Sequence, residues 1–144
     1  MSEYGPPERV YVENEWFDGP RAGIADVQGA PHRFKALYDD TENQSLGTFF
    51  VWPVDEITVE LEQEQWRIFA AWNVLYEAGE ATAESHPAYG GKSARWDEIE
   101  GLLKASRAVV PQIARRALAK LSHIDAEVRY PASGPAYTLS WRVL

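Results

Sequence analysis

The sequence contains no cysteine among its 144 residues. This absence excludes disulfide bonds and thiolate metal sites, and it is typical of a protein in a reducing compartment. The chain also lacks an uninterrupted apolar run of the roughly 18 residues that a membrane-spanning helix needs, and its first residues show no signal-peptide pattern. We therefore expect a soluble cytoplasmic protein that does not enter the membrane.

Basic residues are scarce, because 14 lysines and arginines stand against 22 aspartates and glutamates, which gives a formal net charge of −8. That balance opposes the phosphate neutralisation on which nucleic-acid binding depends, so we predict no nucleic-acid partner. An acidic surface aids solubility, and it also favours a basic protein or a cationic ligand. The three histidines, His32, His86 and His123, lie on separate segments without metal-ligand spacing, so we expect neither a metal nor a cofactor.

Residues 16–34 carry the strongest structural signal, because two turn sequences enclose one short strand. Asp18-Gly19-Pro20 and Gly29-Ala30-Pro31 are typical of tight turns, so the segment predicts a three-stranded antiparallel meander. We place a type II′ turn at Gly19-Pro20, because a turn centred on Asp18-Gly19 would need an N–H group that Pro20 lacks. The same logic centres the second turn on Gly29-Ala30.

These two turns fix a register and, because side chains alternate along a strand, two faces. The predicted pairs are Phe17–Ala22, Trp16–Gly23, Asn14–Ala25 and Val12–Val27 for the first turn, and Val27–His32, Asp26–Arg33, Ala25–Phe34 and Gly23–Ala36 for the second. The predicted core face holds Val10, Val12, Asn14, Trp16, Gly23, Ala25, Val27, His32, Phe34, Ala36 and Tyr38. The predicted solvated face holds Tyr11, Glu13, Glu15, Asp26, Arg33 and Lys35.

The middle of the chain predicts a strand and a long helix. A polar loop at 39–44 leads into residues 46–54, which are apolar on both faces of a strand that ends at Pro53. Apolar residues then recur at 57, 61, 68, 72 and 75. They indicate a helix that is capped by Asp55, begins between Asp55 and about Glu64, and ends at Gly79. Residues 80–94 form a long connection of a kind that is often functional.

The last third predicts a second helix and a hairpin. Apolar residues at 99, 103, 110, 113, 117 and 121 have helical spacing, with a kink at Pro111. Alternation at 124–130 and 137–143 predicts two strands. The whole is a single α+β domain, residues 1–144, with an antiparallel sheet of about five or six strands and two long helices on one face. The C-terminal hairpin either extends this sheet or closes it towards a barrel.

Three residues are candidates for acid–base chemistry. His32 is predicted on the core face, where it acts either as an acid or base or as a structural histidine bonded to backbone. His86 lies in the long connection, which would wall a pocket over the aromatic helix. Asp26 is a nearby carboxylate, but the register sends it to the face opposite His32, so local pairing does not join them.

Aromatic residues and the first turn supply the candidates for ligand contact. These candidates are Trp16, Asp18, Arg21, Trp66, Trp72 and Tyr89. The aromatic residues of the first helix either fill the core, line a pocket for a cationic or flat ligand, or anchor a protein interface. Asp18 also has a structural interpretation, because an aspartate at a turn bonds local backbone.

The sequence also resembles a known group of proteins. Trp16-Phe17-Asp18-Gly19-Pro20 and Gly23-Ile24-Ala25-Asp26 are followed by Gly29, Pro31-His32, Trp66, Trp72 and Ser85-His86-Pro87. This combination resembles a family of uncharacterised bacterial proteins over most of the chain. That family has no assigned activity, so the resemblance implies no function.

Two hypotheses about function follow. The first is a small cytosolic, non-catalytic binding or protein-interaction module that acts through a sheet edge, a helix surface or a modest pocket. The alternative is an enzyme or small-ligand-binding protein with a pocket near the Asp18–His32 segment and the His86 loop, in which His32 is the acid or base. Open sheet edges would also allow a homodimer.

Overall fold

The computed structural model describes residues 3–16, 18–37 and 47–144. Its strands are β1 (Pro7–Trp16), β2 (Pro20–Val27), β3 (Ala30–Ala36), β4 (Thr48–Pro53), β5 (Arg115–His123) and β6 (Tyr137–Val143), and its helices are α1 (Glu56–Glu77) and α2 (Ala94–Ala108). Two short 3₁₀ helices, Ala83–Ser85 and Pro87–Tyr89, occupy the connection between α1 and α2. The predictions for Phe17, Tyr38 and the loop at 39–44 lie outside the described residues.

The six strands form a closed antiparallel barrel in chain order. Closure depends on pairing between β1 and β6, in which Glu8 lies opposite Leu139. The α+β class and the six-stranded antiparallel sheet are therefore confirmed, and the C-terminal strands close the sheet rather than extend it. Each described strand has two paired neighbours, so the open edge on which we based a homodimer is absent from this part of the chain.

The barrel interior is an aromatic core surrounded by small residues. The rings of Phe34, Phe49 and Trp141 meet with centroids 5.6–5.7 Å apart. Gly23 makes room for this cluster, because a Cβ at that position would lie 2.9 Å from the Phe34 ring and would also collide with a backbone carbonyl of β1. The absence of a side chain at Gly23 thus leaves space for the Phe34 ring.

The second turn is centred one residue earlier than predicted. Gln28 and Gly29 both have positive φ, 54° and 85°, and Val27 pairs with Ala30, as in a type I′ turn. Positive φ is unfavourable for glutamine, but the carboxylate of Glu8 accepts both turn amides, at 3.0 and 2.7 Å. The predicted pairs for this turn are each wrong by two residues, which leaves the assignment of faces intact.

The first turn and its register were also predicted wrongly. Pro20 begins β2 and pairs with Trp16, so it is not a central turn residue. The register of β1 against β2 shifts between Val10 and Val12 and again beyond Glu13. Because a bulge inserts one extra residue, Val10 packs inside the barrel whereas Val12 packs outside it.

The face predicted to be solvated is covered by α1. Ile24 and Arg33 are almost fully buried there, at 0% and 3% exposure. Val59 and Trp66 of α1 pack against this part of the wall. Lys35 and Asp26 are partly buried beside it. The helices therefore lie on the outer surface of the barrel, and the other face of the meander forms its interior.

Helix α1 has the predicted ends but a different buried stripe. Asp55 caps it by accepting the Thr58 amide at 2.8 Å, and Gly79 follows it with positive φ. Two of the predicted apolar contacts, Ile57 and Leu75, are exposed. The buried residues are Val59, Glu62, Gln65, Trp66, Ala70 and Asn73. In the described part of the chain, no helix is long and apolar enough to span a membrane.

The second helix is shorter than predicted, because α2 ends at Ala108, before Pro111. Ala117 and Leu121, assigned to that helix from their spacing, belong to strand β5. Residues 115–121 are strong helix formers, but Ala117 and Ala119 alternate with exposed side chains and fit between the large rings of the core. The predicted strand at 124–130 is irregular connection, whereas β6 is confirmed.

Candidate functional site

A cavity of about 470 Å³ lies outside the barrel wall, between β1, α1, α2 and the Pro87–Tyr89 turn. Strand β1 pairs with β6 only through Pro7–Arg9, and residues 12–16 of β1, beyond that pairing, line the cavity. Tyr130, from the connection between β5 and β6, closes one end of the cavity.

One wall of the cavity is aromatic. Trp66, Phe69, Trp96 and Tyr130 line it together with Trp16 at the opening. Phe69 contacts Tyr130 and Trp66 with ring centroids 4.9 and 5.6 Å apart. The Trp66 indole N–H donates to the Pro131 carbonyl at 2.7 Å, which fixes the orientation of that ring. This wall is apolar and its geometry is set by contacts within the protein.

The floor of the cavity is a buried ion network centred on Glu62. One carboxylate oxygen accepts from Arg33 Nη1 at 2.8 Å, and the other accepts from Arg107 Nη2 at 2.6 Å. Asn14 also donates to Glu62, at 3.1 Å. Burial raises the pKa of Glu62, but hydrogen bonds and charge from Arg107 and Arg33 outweigh it, so the pKa lies below its ordinary value. The network joins the barrel to both helices.

Arg107 is committed to this network through every nitrogen. Its Nε and Nη2 donate to Glu62, Nη2 also donates to Gln65, and Nη1 donates to Glu100 at 2.8 Å. Gln65 in turn donates to Glu100 at 2.9 Å. Arg107 therefore orients carboxylates and an amide around the cavity, and its own charge is already matched by protein groups.

Glu13 occupies the barrel side of the cavity. Its Oε1 accepts the Tyr137 hydroxyl at 2.7 Å. Burial raises the pKa of Glu13, and the hydrogen bond from Tyr137 offsets only part of that rise. The pKa of Tyr137 is raised by its own burial and by the negative charge of Glu13. Trp16 stacks on Tyr137 with centroids 5.9 Å apart and the planes 17° from parallel.

His86 contributes one edge of the cavity. Its Nδ1 accepts the Ala88 amide at 3.0 Å, which places the ring proton on Nε2. The ring packs on Trp72 and Phe69, with centroids 4.5 and 5.6 Å apart. Burial lowers its pKa, so the ring is neutral near pH 7. His86 and Ala88 are the residues of this loop that line the cavity.

The structure does not bring the predicted acid–base residues together. His32 is 5% exposed, and its Nδ1 lies 2.7 Å from the Ala30 carbonyl oxygen. This is the structural alternative considered from the sequence, a buried histidine bonded to backbone at a turn. Asp26 accepts the Tyr11 hydroxyl at 2.9 Å. Of the three candidates only His86 lines the cavity.

Some of the residues predicted to contact a ligand line the cavity, and the others lie outside it. Trp16 and Trp66 line the cavity, and Trp72 supports His86 from behind while donating to Ser85 at 3.0 Å. Tyr89 is 71% exposed and lies outside the lining. Asp18 and Arg21 also lie outside it, at the first turn, where Arg21 donates to the Asp18 carbonyl at 3.5 Å.

Glu13, Glu62, Trp96 and Arg107 are among the lining residues that sequence reasoning missed. A signal existed for Glu62, because it falls between Val59 and Trp66 on one helical stripe opposite a wall that carries Arg33. No comparable signal existed for Glu13, whose direction depends on the bulges of β1. Among residues 3–16, 18–37 and 47–144, no group of three or more histidines and carboxylates is placed to hold a metal ion.

The fold and the site together define a closed six-stranded barrel whose helical insertion encloses an aromatic and acidic cavity. Protein-family models, curated proteins and solved structures contain no match to this chain. The resemblance to a bacterial family therefore stays a prediction from residues 16–87.

Proposed function

We propose that this protein binds a small organic molecule in the cavity between the barrel and its helices, without catalysis. The observation that carries the proposal is the cavity itself, about 470 Å³ with one aromatic wall and a polar floor. Sites for small molecules have volumes of about 300–1,000 Å³, apolar walls and a few well-placed polar groups. The proposal joins the binding module predicted from the sequence to the pocket of its alternative.

Preorganisation supports binding over a purely structural role for the polar floor. Glu62 is 1% exposed and is held by two arginines, and Arg107 also orients Gln65 and Glu100. Groups that are fixed before a ligand arrives lose little conformational entropy when it binds. The cavity needs no large rearrangement to receive a molecule.

The position of His32 is the reason that the proposal excludes catalysis. A general acid or base must reach the reacting atom within hydrogen-bonding distance. His32 contacts the Ala30 carbonyl and does not line the cavity. His86 does line it, but its contacts with the Ala88 amide, Trp72 and Phe69 hold it as part of the wall, and the proposal gives it no role in proton transfer.

A protein-interaction role is the second candidate, and exposed apolar side chains favour it. Ile57, Leu75 and Leu102 are 68%, 46% and 60% exposed on the helices. Protein interfaces concentrate such residues in contiguous patches. A sheet-edge mode has no support in the described strands because the barrel is closed, so a protein partner would use the helix surface.

The test is to fill the cavity without disturbing the core. Ala88 lines the cavity and is exposed, so Ala88→Trp places an indole across the opening. Ala83→Trp is the matched control, because Ala83 is exposed on the neighbouring 3₁₀ helix and does not line the cavity. A thermal-shift screen of a metabolite library identifies binders, since a ligand at 100 times its Kd adds about 2.7 kcal/mol of stability.

We expect hits that shift the native protein and Ala83→Trp but not Ala88→Trp. Amide and indole N–H resonances of Trp66 and Trp96 should move on titration of each hit. Hits that act equally on all three proteins would place binding elsewhere. A complete lack of hits, with capture of a protein that needs Ile57 and Leu102, would favour the second candidate.

A further inference from the structure

We infer that the ligand of this cavity is an organic ammonium ion whose charged nitrogen is held by Glu13 and whose flat or apolar body lies against the aromatic wall. The inference rests on the proposed function, because it names the ligand class of the same site. It follows from the charges that line the cavity, from the hydrogen bonding of Glu13 and from the position of Trp16.

The charges that line the cavity select against an anionic ligand. Four carboxylates, Glu13, Glu15, Glu62 and Glu100, face the single guanidinium of Arg107. Arg107 already donates to Glu62, Gln65 and Glu100 through its three nitrogens. Arg33 adds a second positive charge behind the floor, where it is also bonded to Glu62. A negative ligand would meet surplus carboxylates and a cation whose charge is already matched by protein carboxylates.

Glu13 has the acceptor capacity that a cation needs. An ionised carboxylate offers about four acceptor positions, whereas Glu13 accepts one hydrogen bond from the described residues, that of Tyr137. No lysine or arginine of the described residues forms an ion pair with it. A partly buried charge without a counter-ion is unfavourable, and an ammonium group from a ligand would supply both the charge and the missing donors.

Aromatic rings line the same cavity as this carboxylate. Trp16 stacks on Tyr137, whose hydroxyl donates to Glu13, so the three side chains form one contact cluster on the β1 side of the cavity. Trp66 and Trp96 line the continuation of the cavity. Aromatic faces attract organic cations through their quadrupoles. Hard metal cations instead require several oxygen ligands, so the aromatic surroundings favour an organic cation.

The probes are three indoles with the same body and different charge: tryptamine, tryptophol and indole-3-propionate. Each is titrated into ¹⁵N-labelled protein and followed through the backbone and indole resonances. We expect tryptamine to bind about tenfold more tightly than tryptophol, the scale of a hydrogen bond to a charged group, and indole-3-propionate to bind most weakly.

The decisive variant is Glu13→Gln, which removes the charge and retains an acceptor for Tyr137. We expect it to weaken tryptamine about tenfold and to leave tryptophol within about twofold. Glu60→Gln is the matched control, because Glu60 is an exposed carboxylate of α1 outside the cavity lining. This control should bind all three probes like the native protein.

The outcomes separate this inference from the proposed function. If tryptophol or indole-3-propionate binds as tightly as tryptamine, or if Glu13→Gln leaves tryptamine unaffected, the cationic class is wrong while a ligand-binding cavity stands. If none of the three probes binds, the cationic class is likewise rejected, and the library screen with Ala88→Trp and Ala83→Trp decides the proposed function by itself.

Discussion

The substitution Glu62→Gln should destabilise the protein strongly, although it changes one atom. Arg33 Nη1 donates to Oε2 of Glu62. Arg107 donates to Oε1 through Nη2 and to Oε2 through Nε. A glutamine must direct its NH₂ group at one of these positions, so a donor would face an arginine donor whichever way the amide is turned. The negative charge that compensates both arginines is lost as well.

The cost falls mainly on Arg33. Arg107 is 21% exposed and retains Glu100, whereas Arg33 is 3% exposed and retains only Ser106 at 3.0 Å and Asn14 at 3.4 Å. Its Nε already lacks a partner among the described residues. Removing one member of a buried pair costs about 3–5 kcal/mol. That is a large part of the stability of about 5–15 kcal/mol that natural domains have.

Urea unfolding followed by tryptophan fluorescence measures this loss in the free energy of unfolding, and thermal unfolding measures the accompanying shift in midpoint. The thermal midpoint should fall by roughly 6–20 °C, at about 2–4 °C per kcal/mol for a chain of this size. Glu64→Gln is the matched control on the same helix, because its ion pair with Arg95 is exposed, and it should leave the unfolding curve unchanged within error.

A double substitution tests whether the lost charge is the cause. In Glu62→Leu with Arg33→Met both buried charges are replaced by apolar groups, so much of the stability lost in Glu62→Gln should return. A cost below about 1 kcal/mol for Glu62→Gln would be typical of an exposed pair. That result would refute the view that a buried network joins the helices to the barrel.

Two further predictions concern β1 and β2. Glu13→Gln should raise the free energy of unfolding at pH 7. Burial raises the folded-state pKa of Glu13, so the native state holds a proton that the unfolded state releases. The stability of the native protein therefore falls as the pH rises from about 4.3, the ordinary pKa of glutamate, through the raised pKa. Urea unfolding across pH should show the advantage of the variant vanish in acid, and an equal advantage at every pH would contradict this cause. Gly23→Ala should cost about 1–3 kcal/mol of stability, because its Cβ would collide with the Val12 carbonyl oxygen and lie 2.9 Å from the Phe34 ring. The control Gly101→Ala, in open space on α2, should stabilise by about 0.5–1 kcal/mol. Equal effects of the two substitutions would show that β1 and the Phe34 ring shift to make room for the methyl group.

Much of the fold could be predicted from the sequence because turns, helix caps and strand alternation are determined within short segments. The meander, α1 with its Asp55 cap, and β6 follow from turn residues, capping and alternation. Strand β5 was not readable, because residues 115–121 have high helix propensity and become a strand only when the barrel closes around Phe34 and Phe49. The register failed where β1 bulges and where Glu8, twenty residues away, holds the Gln28 turn.

Residues of the candidate site could be predicted only where a single helix or loop determines their position. Trp66 and His86 were identified because Trp66 is one of several aromatic residues on a predicted helix and His86 lies in a long connection. Glu13 and Arg33 were assigned together to a solvated face, since both alternate with apolar neighbours. The bulges of β1 instead turn Glu13 into the cavity, and α1 covers Arg33 with Glu62.

The different surroundings of Glu13 and Arg33 explain why the proposed ligand would pair with the charge of Glu13 and not with that of Arg33. Arg33 became buried together with a helix that supplies its counter-ion, so its charge is matched within the fold. Glu13 became partly buried in the cavity, on the part of β1 beyond its pairing with β6, and its hydrogen-bond partner Tyr137 is neutral. Folding thus pairs the charge of Arg33 with Glu62, whereas Glu13 has a neutral partner and its burial raises its pKa. Removal of that charge should therefore stabilise the empty protein and weaken ligand binding at once, a combination that a purely structural role for Glu13 does not predict.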